Sequence, residues 1–128
     1  MKPLLTVTAI VELGAGLALL GLPSVTASLL LGAPLGPPVA MTLARVGGAA
    51  ILALAIVCWL TRDAVLIVSR GLVATMLFYN IAVAAVLAFA GVADGLRGML
   101  LWPAVAFHVA MSAWCAATLI RNDNGVFR

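Results

Sequence analysis

The chain has 128 residues, of which 66% are hydrophobic and only 9% are charged, and its mean hydropathy is +1.27. An ordinary soluble domain has about 25% charged residues, so this chain has more apolar surface than a water-soluble domain of its length can bury. The composition therefore indicates a single membrane-embedded domain. The net charge of +3 does not indicate nucleic-acid binding, because the basic residues are scattered and lie at the ends of apolar runs.

Four apolar runs are long enough to cross a bilayer, since a membrane-spanning helix needs roughly 20 mainly apolar residues. The sequence predicts helices over about 4–22, 39–60, 71–91 and 99–120, with a start near residue 64 left open for the third and a short polar tail after the fourth. The first run is longer than a signal-peptide core and has Glu12 at its centre, so we expect it to be retained. The expected fold is all-α, a polytopic bundle of four transmembrane helices in one domain over residues 1–128.

The segment between the first two helices, from Pro23 to Pro38, is uncharged and apolar. It predicts a short helix over 25–31 that is capped by Ser24 and lies in the outer membrane interface. The alternative is an extension of the first helix followed by a turn.

The positive charges predict an orientation. With four spans both termini lie on one side, and five of the seven basic residues fall on that side: Lys2, Arg62, Arg70, Arg121 and Arg128. Only Arg97 falls on the other, so the positive-inside rule places both termini in the cytoplasm, and we expect a bacterial inner membrane. Cys58 and Cys115 then lie near cytoplasmic helix ends, where we expect reduced, structural thiols.

Each predicted helix contains one polar group that is costly to place in lipid, and such groups usually face the bundle interior and pair. The four are Glu12, Arg45, Asn80 and His108. At 1.5 Å per residue, Glu12 and His108 lie about 15 Å from the outer ends of their helices and Arg45 about 9 Å. We therefore expect an ion pair between Glu12 and Arg45, and a hydrogen bond from His108 to Glu12 or Asn80.

Helical spacing adds two neighbours to this cluster. Ser112 follows His108 by four residues, and Tyr79 is adjacent to Asn80. The candidate ligand-binding or proton-carrying residues are therefore Glu12, Arg45, Tyr79, Asn80, His108 and Ser112. Each also has a structural interpretation, as interhelical hydrogen bonding or packing, or as an arginine that snorkels to the headgroups.

No residue pattern predicts catalysis or metal binding. The sequence has no glycine-rich phosphate loop and no serine in a nucleophile setting. A zinc site needs about four ligands, and one histidine with two distant cysteines does not supply them. We therefore predict no catalytic residue, no metal ligand and no favoured cofactor.

The motifs LLLG at residues 29–32 and LARVGG at 43–48 follow Pro23 and precede an apolar helix. This arrangement is similar to small uncharacterised four-helix bacterial inner-membrane proteins and loosely resembles the DoxX-like group. The resemblance covers the first two helices. It implies a fold and a membrane location, and it carries no activity.

The chain length, the four spans and Glu12 in the first helix also resemble the small multidrug resistance transporters. In that family a membrane-embedded glutamate of the first helix exchanges protons for drug cations, so the resemblance implies a proton-carrying Glu12. Two features depart from the family. Arg45 and His108 would compete with a cationic drug, and the strong charge bias disfavours dimers of mixed orientation.

Three interpretations remain open. The first is a non-enzymatic membrane protein whose polar cluster binds a small polar or amphipathic ligand, or which serves as a subunit of a homo-oligomer or larger membrane complex. The second is a proton-coupled small-molecule transporter that uses Glu12. The third is a redox protein that binds quinone or haem through His108.

Overall fold

The apolar runs form long helices. The computed structural model describes residues 1–126, with side chains described as far as Asn122. Its helices are α1 (Lys2–Gly21), α2 (Pro23–Leu31), α3 (Pro38–Thr61), α4 (Leu66–Val92) and α5 (Leu101–Val126), and the described residues contain no strand. All but α2 are long and apolar enough to cross a membrane. The predicted all-α bundle with four candidate spans is confirmed.

Prolines set where the first three helices begin. α1, α2 and α3 each have proline in the first turn, where the missing N–H is not needed for an intrahelical hydrogen bond. The short helix therefore starts at Pro23, after a break at Leu22, and is not an extension of α1. Ser24 does not cap it, because the residue before its first turn is Leu22, which makes no side-chain cap. Gly32 ends α2 in the left-handed conformation, with φ of 82°.

At its other end the chain differs from the predicted polar tail. α5 continues past residue 120 as far as Val126. The polar residues after Ile120 include no proline, so the backbone hydrogen bonding of the helix continues beyond the end of the apolar run. Residues 127 and 128, which include the basic Arg128, lie outside the described residues.

The long helices pack as two close pairs, α1 with α3 and α4 with α5. In the first pair the helices touch at two glycines. A Cβ added to Gly48 would lie 2.8 Å from the Leu20 nitrogen and 2.9 Å from the Gly16 oxygen, and one added to Gly16 would lie 2.9 Å from the Gly48 oxygen. Small residues allow this backbone approach where lipid provides no hydrophobic drive for association.

The two pairs are held together at the end that carries residue 1, which we call the closed end. The core there draws on all four long helices, through the buried side chains of Leu4, Leu5, Ala9, Cys58, Val73, Met76, Met111 and Cys115. Cys58 and Cys115 are free thiols within it. At its surface Lys2 Nζ lies 2.6 Å from Asp63 Oδ1 and connects α1 to the loop after α3, and this hydrogen bond lowers the pKa of the Asp63 carboxyl.

At the opposite end, which we call the α2 end, α2 bridges the two pairs. It contacts α1, α3 and α5. The Leu100 N–H donates a 2.9 Å hydrogen bond to the Leu29 oxygen, which fixes α2 to the loop between α4 and α5. A Cβ on Gly98 would overlap the backbone of Leu30, so only glycine fits there.

The contact between Gly16 and Gly48 can be tested with a neighbouring glycine as control. We expect Gly48→Ala to destabilise the protein by about 1–3 kcal/mol, because the new Cβ meets backbone atoms that cannot rotate away. The measurement is thermal unfolding in mild detergent. A Cβ on Gly47 would meet no atom within 4 Å, so Gly47→Ala should be neutral or slightly stabilising. Equal effects of the two substitutions would contradict this packing.

Candidate functional site

A cavity of about 610 Å³ lies between the two helix pairs, on the α2 side of the core. Its volume is within the range of about 300–1000 Å³ that is usual for small-molecule sites. Its walls are mostly apolar and come from all five helices, with α2 contributing Thr26, Leu29 and Leu30. Three polar side chains of the long helices also line it: Glu12, Tyr79 and His108.

Glu12 is the most costly group in this cavity. Its side chain is buried, with 3% exposure, and its Oε2 accepts a 2.9 Å hydrogen bond from the Tyr79 hydroxyl across the two helix pairs. Among the described residues the only enclosed side-chain polar atom without a hydrogen bond is Thr8 Oγ1. Oε1 of Glu12 also has no hydrogen-bond partner in the described part of the chain, yet it is not one of the fully enclosed atoms. Because Glu12 lines the cavity, we infer that the small accessible surface of Oε1 faces the cavity.

His108 and Asn80 form a second pair, between α5 and α4. His108 Nδ1 lies 2.8 Å from Asn80 Oδ1. The Asn80 amide nitrogen donates to the Met76 oxygen at 2.7 Å, which fixes Oδ1 as the atom presented to the histidine. Oδ1 can only accept, so Nδ1 carries the hydrogen, and in the neutral ring Nε2 is left with a lone pair. Asn80 thus selects the tautomer of His108.

The two hydrogen-bonded pairs form one polar layer across α1, α4 and α5. The Tyr79 and His108 rings meet edge to face with centroids 5.9 Å apart, and Phe107 packs against His108 in the same way at 5.5 Å. Edge-to-face contacts of this kind stabilise by about 0.5–1.5 kcal/mol beyond their area burial. The layer is the floor of the cavity, and the core of the closed end lies below it.

Of the six predicted residues, four belong to this layer: Glu12, Tyr79, Asn80 and His108. Ser112 does not line the cavity, and its hydroxyl donates to the His108 oxygen of its own helix at 2.8 Å. The predicted hydrogen bond between His108 and Asn80 is present. The site also includes Thr26 and the α2 wall, which sequence spacing could not place because they depend on how α2 folds back over the bundle.

The predicted ion pair between Glu12 and Arg45 is wrong. Arg45 is exposed on the outside of α3 and does not line the cavity. Gly48 contacts α1 between Gly16 and Leu20, so in this antiparallel pair Arg45 is level with about residue 21. At 1.5 Å per residue it is about 14 Å along the axis from Glu12, further than an arginine side chain reaches. No lysine or arginine lines the cavity within the described residues.

The described residues contain no group of three or more His, Cys, Asp or Glu side chains that could hold a metal ion. Comparison of the chain with protein-family models, with curated proteins and with solved structures found no match. The resemblances proposed from the sequence therefore stay predictions, and the function is argued from the geometry of the cavity.

The hydrogen bond between Asn80 and His108 can be measured with a double-mutant cycle of Asn80→Leu and His108→Leu. Interhelical hydrogen bonds in membrane proteins average about 0.6 kcal/mol and reach about 1.7 kcal/mol. We expect a coupling energy in that range from unfolding in detergent, because the two side chains bond to each other. Thr75 bonds only to its own helix, so a cycle of Thr75→Val with His108→Leu should show no coupling. A coupling of zero in the first cycle would contradict the assignment.

Proposed function

We propose that the protein is a non-enzymatic multi-pass membrane protein that binds a small amphipathic molecule in the cavity of the α2 end. The observation that supports this is the Glu12 carboxyl, which is buried at mid-height in the bundle, faces the cavity and has no cationic partner there. Buried ionisable groups in membrane proteins are normally paired. A ligand would supply the partner that Arg45 does not.

The chemistry of the polar layer specifies the head of this ligand. Glu12 Oε1 and His108 Nε2 both offer lone pairs, so the matching head donates hydrogen bonds. A primary amine meets this requirement in either protonation state of the site. As an ammonium it pairs with a carboxylate, and as a neutral amine it takes the proton of a carboxylic acid and forms the same ion pair.

The remaining walls specify the tail of the ligand. Leu19, Leu30, Ile51, Val83 and Leu87 provide an apolar lining. The ligand is therefore an amphiphile with an apolar body and an amine head. Haem fits this lining less well, because its propionates are anions and the described lining of the cavity has a carboxyl and no lysine or arginine. A quinone carbonyl only accepts hydrogen bonds, so it could bond to Glu12 only when that carboxyl is protonated, and it would leave the His108 Nε2 lone pair without a donor.

The arrangement favours binding over transport. The cavity ends at the polar layer, and the buried core of the closed end lies below it. Alternating access would require this core to separate, and the core holds the two helix pairs together. Binding requires no such change. A proton-coupled carrier that uses Glu12 remains the second candidate, since the same carboxyl can hold either a proton or a cation.

We place the protein in a bacterial inner membrane with the closed end in the cytoplasm. Lys2, Arg62, Arg70 and Arg121 all lie at or near the closed end, and Arg97 lies at the α2 end. Positive charge favours the cytoplasmic side.

The orientation can be tested with fusions to the C-terminus. We expect a fusion to green fluorescent protein to fluoresce and a fusion to alkaline phosphatase to be inactive, because the closed end lies in the cytoplasm. The opposite pattern would reverse the orientation without affecting the binding proposal.

Ligand binding can be tested by native mass spectrometry of the detergent-extracted protein with dodecylamine, dodecanol and dodecanoic acid. We expect dodecylamine adducts to form at the lowest concentration, because only the amine can pair with Glu12. We expect Glu12→Gln to weaken dodecylamine binding at least tenfold, or about 1.4 kcal/mol.

Asp94→Asn is the matched control, because it also removes one carboxylate, from an exposed position outside the cavity. It should leave binding unchanged. Equal binding of the amine and the acid, or equal loss in both variants, would show that the detergent-like tail alone drives association, and the proposed head chemistry would be abandoned.

A further inference from the structure

The side of α1 that lines the cavity extends from the contact with α3 round to the opposite flank. Gly16 marks the side that touches α3. Glu12 and Leu19, four residues before and three residues after Gly16, line the cavity beside that contact. Gly14 and Ala18, two positions to either side of Gly16, also line it, and at about 100° per residue they fall on nearly the opposite flank. A Cβ on Gly14 would meet no atom within 4 Å, so this flank borders open space.

α5 borders the same space from the other side. Its contact with α4 runs through Leu101 and Trp102, which lie 3.0 and 3.2 Å from the position of a Cβ on Gly91. Leu100, Pro103 and Phe107 line the cavity instead. Leu100 is 44% exposed and Pro103 is exposed. α1 and α5 are not one of the closely packed pairs, and residues of both helices line the cavity, so the cavity extends into the gap between their flanks.

The gap lies at a depth where the surroundings are lipid chains. Glu12 is near the middle of α1, and Gly14 and Ala18 lie about 3 and 9 Å from it toward the α2 end. α2 covers the end of the cavity through Thr26, Leu29 and Leu30, which closes the direct route to the water above. The open side of the cavity is therefore the side that faces the bilayer.

We infer that the gap between α1 and α5 is a lateral portal through which a single-chain amphiphile passes from the bilayer into the cavity, with its head at Glu12. This inference rests on the proposed function for its ligand. Glu12 is only 3% exposed, and its Oε1 faces the cavity without a hydrogen-bond partner. The portal therefore leads to a carboxyl oxygen that a ligand can bind. A cavity of about 610 Å³ suits one alkyl chain with a small head, and a phospholipid would bring twice the apolar volume.

The portal is tested first without any ligand. The variants Gly14→Cys and Leu17→Cys are labelled with bimane and reconstituted in phosphatidylcholine vesicles. The wild type, treated in the same way, gives the background, which we expect to be low because Cys58 and Cys115 are buried. Leu17 is 55% exposed and does not line the cavity, so it serves as the lipid-facing control. We expect phospholipids with a nitroxide on the chain to quench both labels, and aqueous iodide to quench neither.

Adding dodecylamine should then reduce nitroxide quenching at residue 14 at least twofold and leave residue 17 unchanged. Quenching of residue 14 by iodide would show a water-filled entrance and overturn the portal. Absence of quenching by either reagent would show that a second copy or another protein covers the gap, and would also overturn it. Nitroxide quenching without a dodecylamine effect would keep the lipid-facing opening and reject the amine as its ligand, which separates the portal from the proposed function.

A blocking substitution tests passage through the gap. Ala18→Phe places a ring in the portal, and Leu17→Phe places the same ring on the lipid-facing side of the helix. We expect Ala18→Phe to slow the association of dodecylamine at least tenfold and Leu17→Phe to change the association rate less than twofold, with similar unfolding temperatures. An unchanged association rate in Ala18→Phe would overturn the proposed route.

Discussion

The feature on which the rest of the site depends is the buried carboxyl of Glu12 and its hydrogen bond from Tyr79. This bond crosses between the α1/α3 pair and the α4/α5 pair, at the height where the core ends and the cavity begins. A charged side chain at this depth costs about 2.5–3.5 kcal/mol or more on insertion scales. One tyrosine hydroxyl satisfies one oxygen of the carboxyl, and the second oxygen is left to whatever occupies the cavity. The bundle is therefore built around a group that its own side chains satisfy only in part.

Stability and binding are divided along the helix axes. At the closed end, apolar side chains from four helices fill the space between the pairs. At the α2 end a cavity lies between the pairs, and α2 contacts both of them, fixed by a backbone hydrogen bond and by a glycine that no other residue can replace. The polar layer marks the boundary. Asn80 contributes to both the core and the cavity floor. Its amide nitrogen bonds to Met76 of its own helix, and its Oδ1 fixes Nδ1 as the ring nitrogen of His108 that carries the hydrogen.

The sequence predicted the parts of this arrangement that depend on local composition. Run length and apolarity were enough for the four long helices, and the cost of polar groups in lipid was enough to bring Asn80 and His108 together. The sequence-based prediction of an ion pair between Arg45 and Glu12 was wrong, because that pairing depends on the register between α1 and α3. That register is set by the contact of Gly16 with Gly48, and the spacing of small residues within one helix does not specify which glycine on the partner it meets. Tyr79 was included as a neighbour of Asn80, yet its role is to bond Glu12 on a different helix.

The exclusion of Arg45 also changes how the cavity is to be understood. Had the arginine reached Glu12, the charges would have compensated each other and the cavity would have been a gap in the packing beside a structural ion pair. With Arg45 outside, the carboxyl and the apolar walls act on the same occupant. In the function proposed above, the carboxyl favours a donor or cation, and the apolar walls and the inferred portal favour a molecule already dissolved in lipid. A ligand that satisfies only one of these conditions would leave either Glu12 unpaired or the apolar walls unfilled, which is why an amphiphile matches the site better than a water-soluble amine or a plain hydrocarbon.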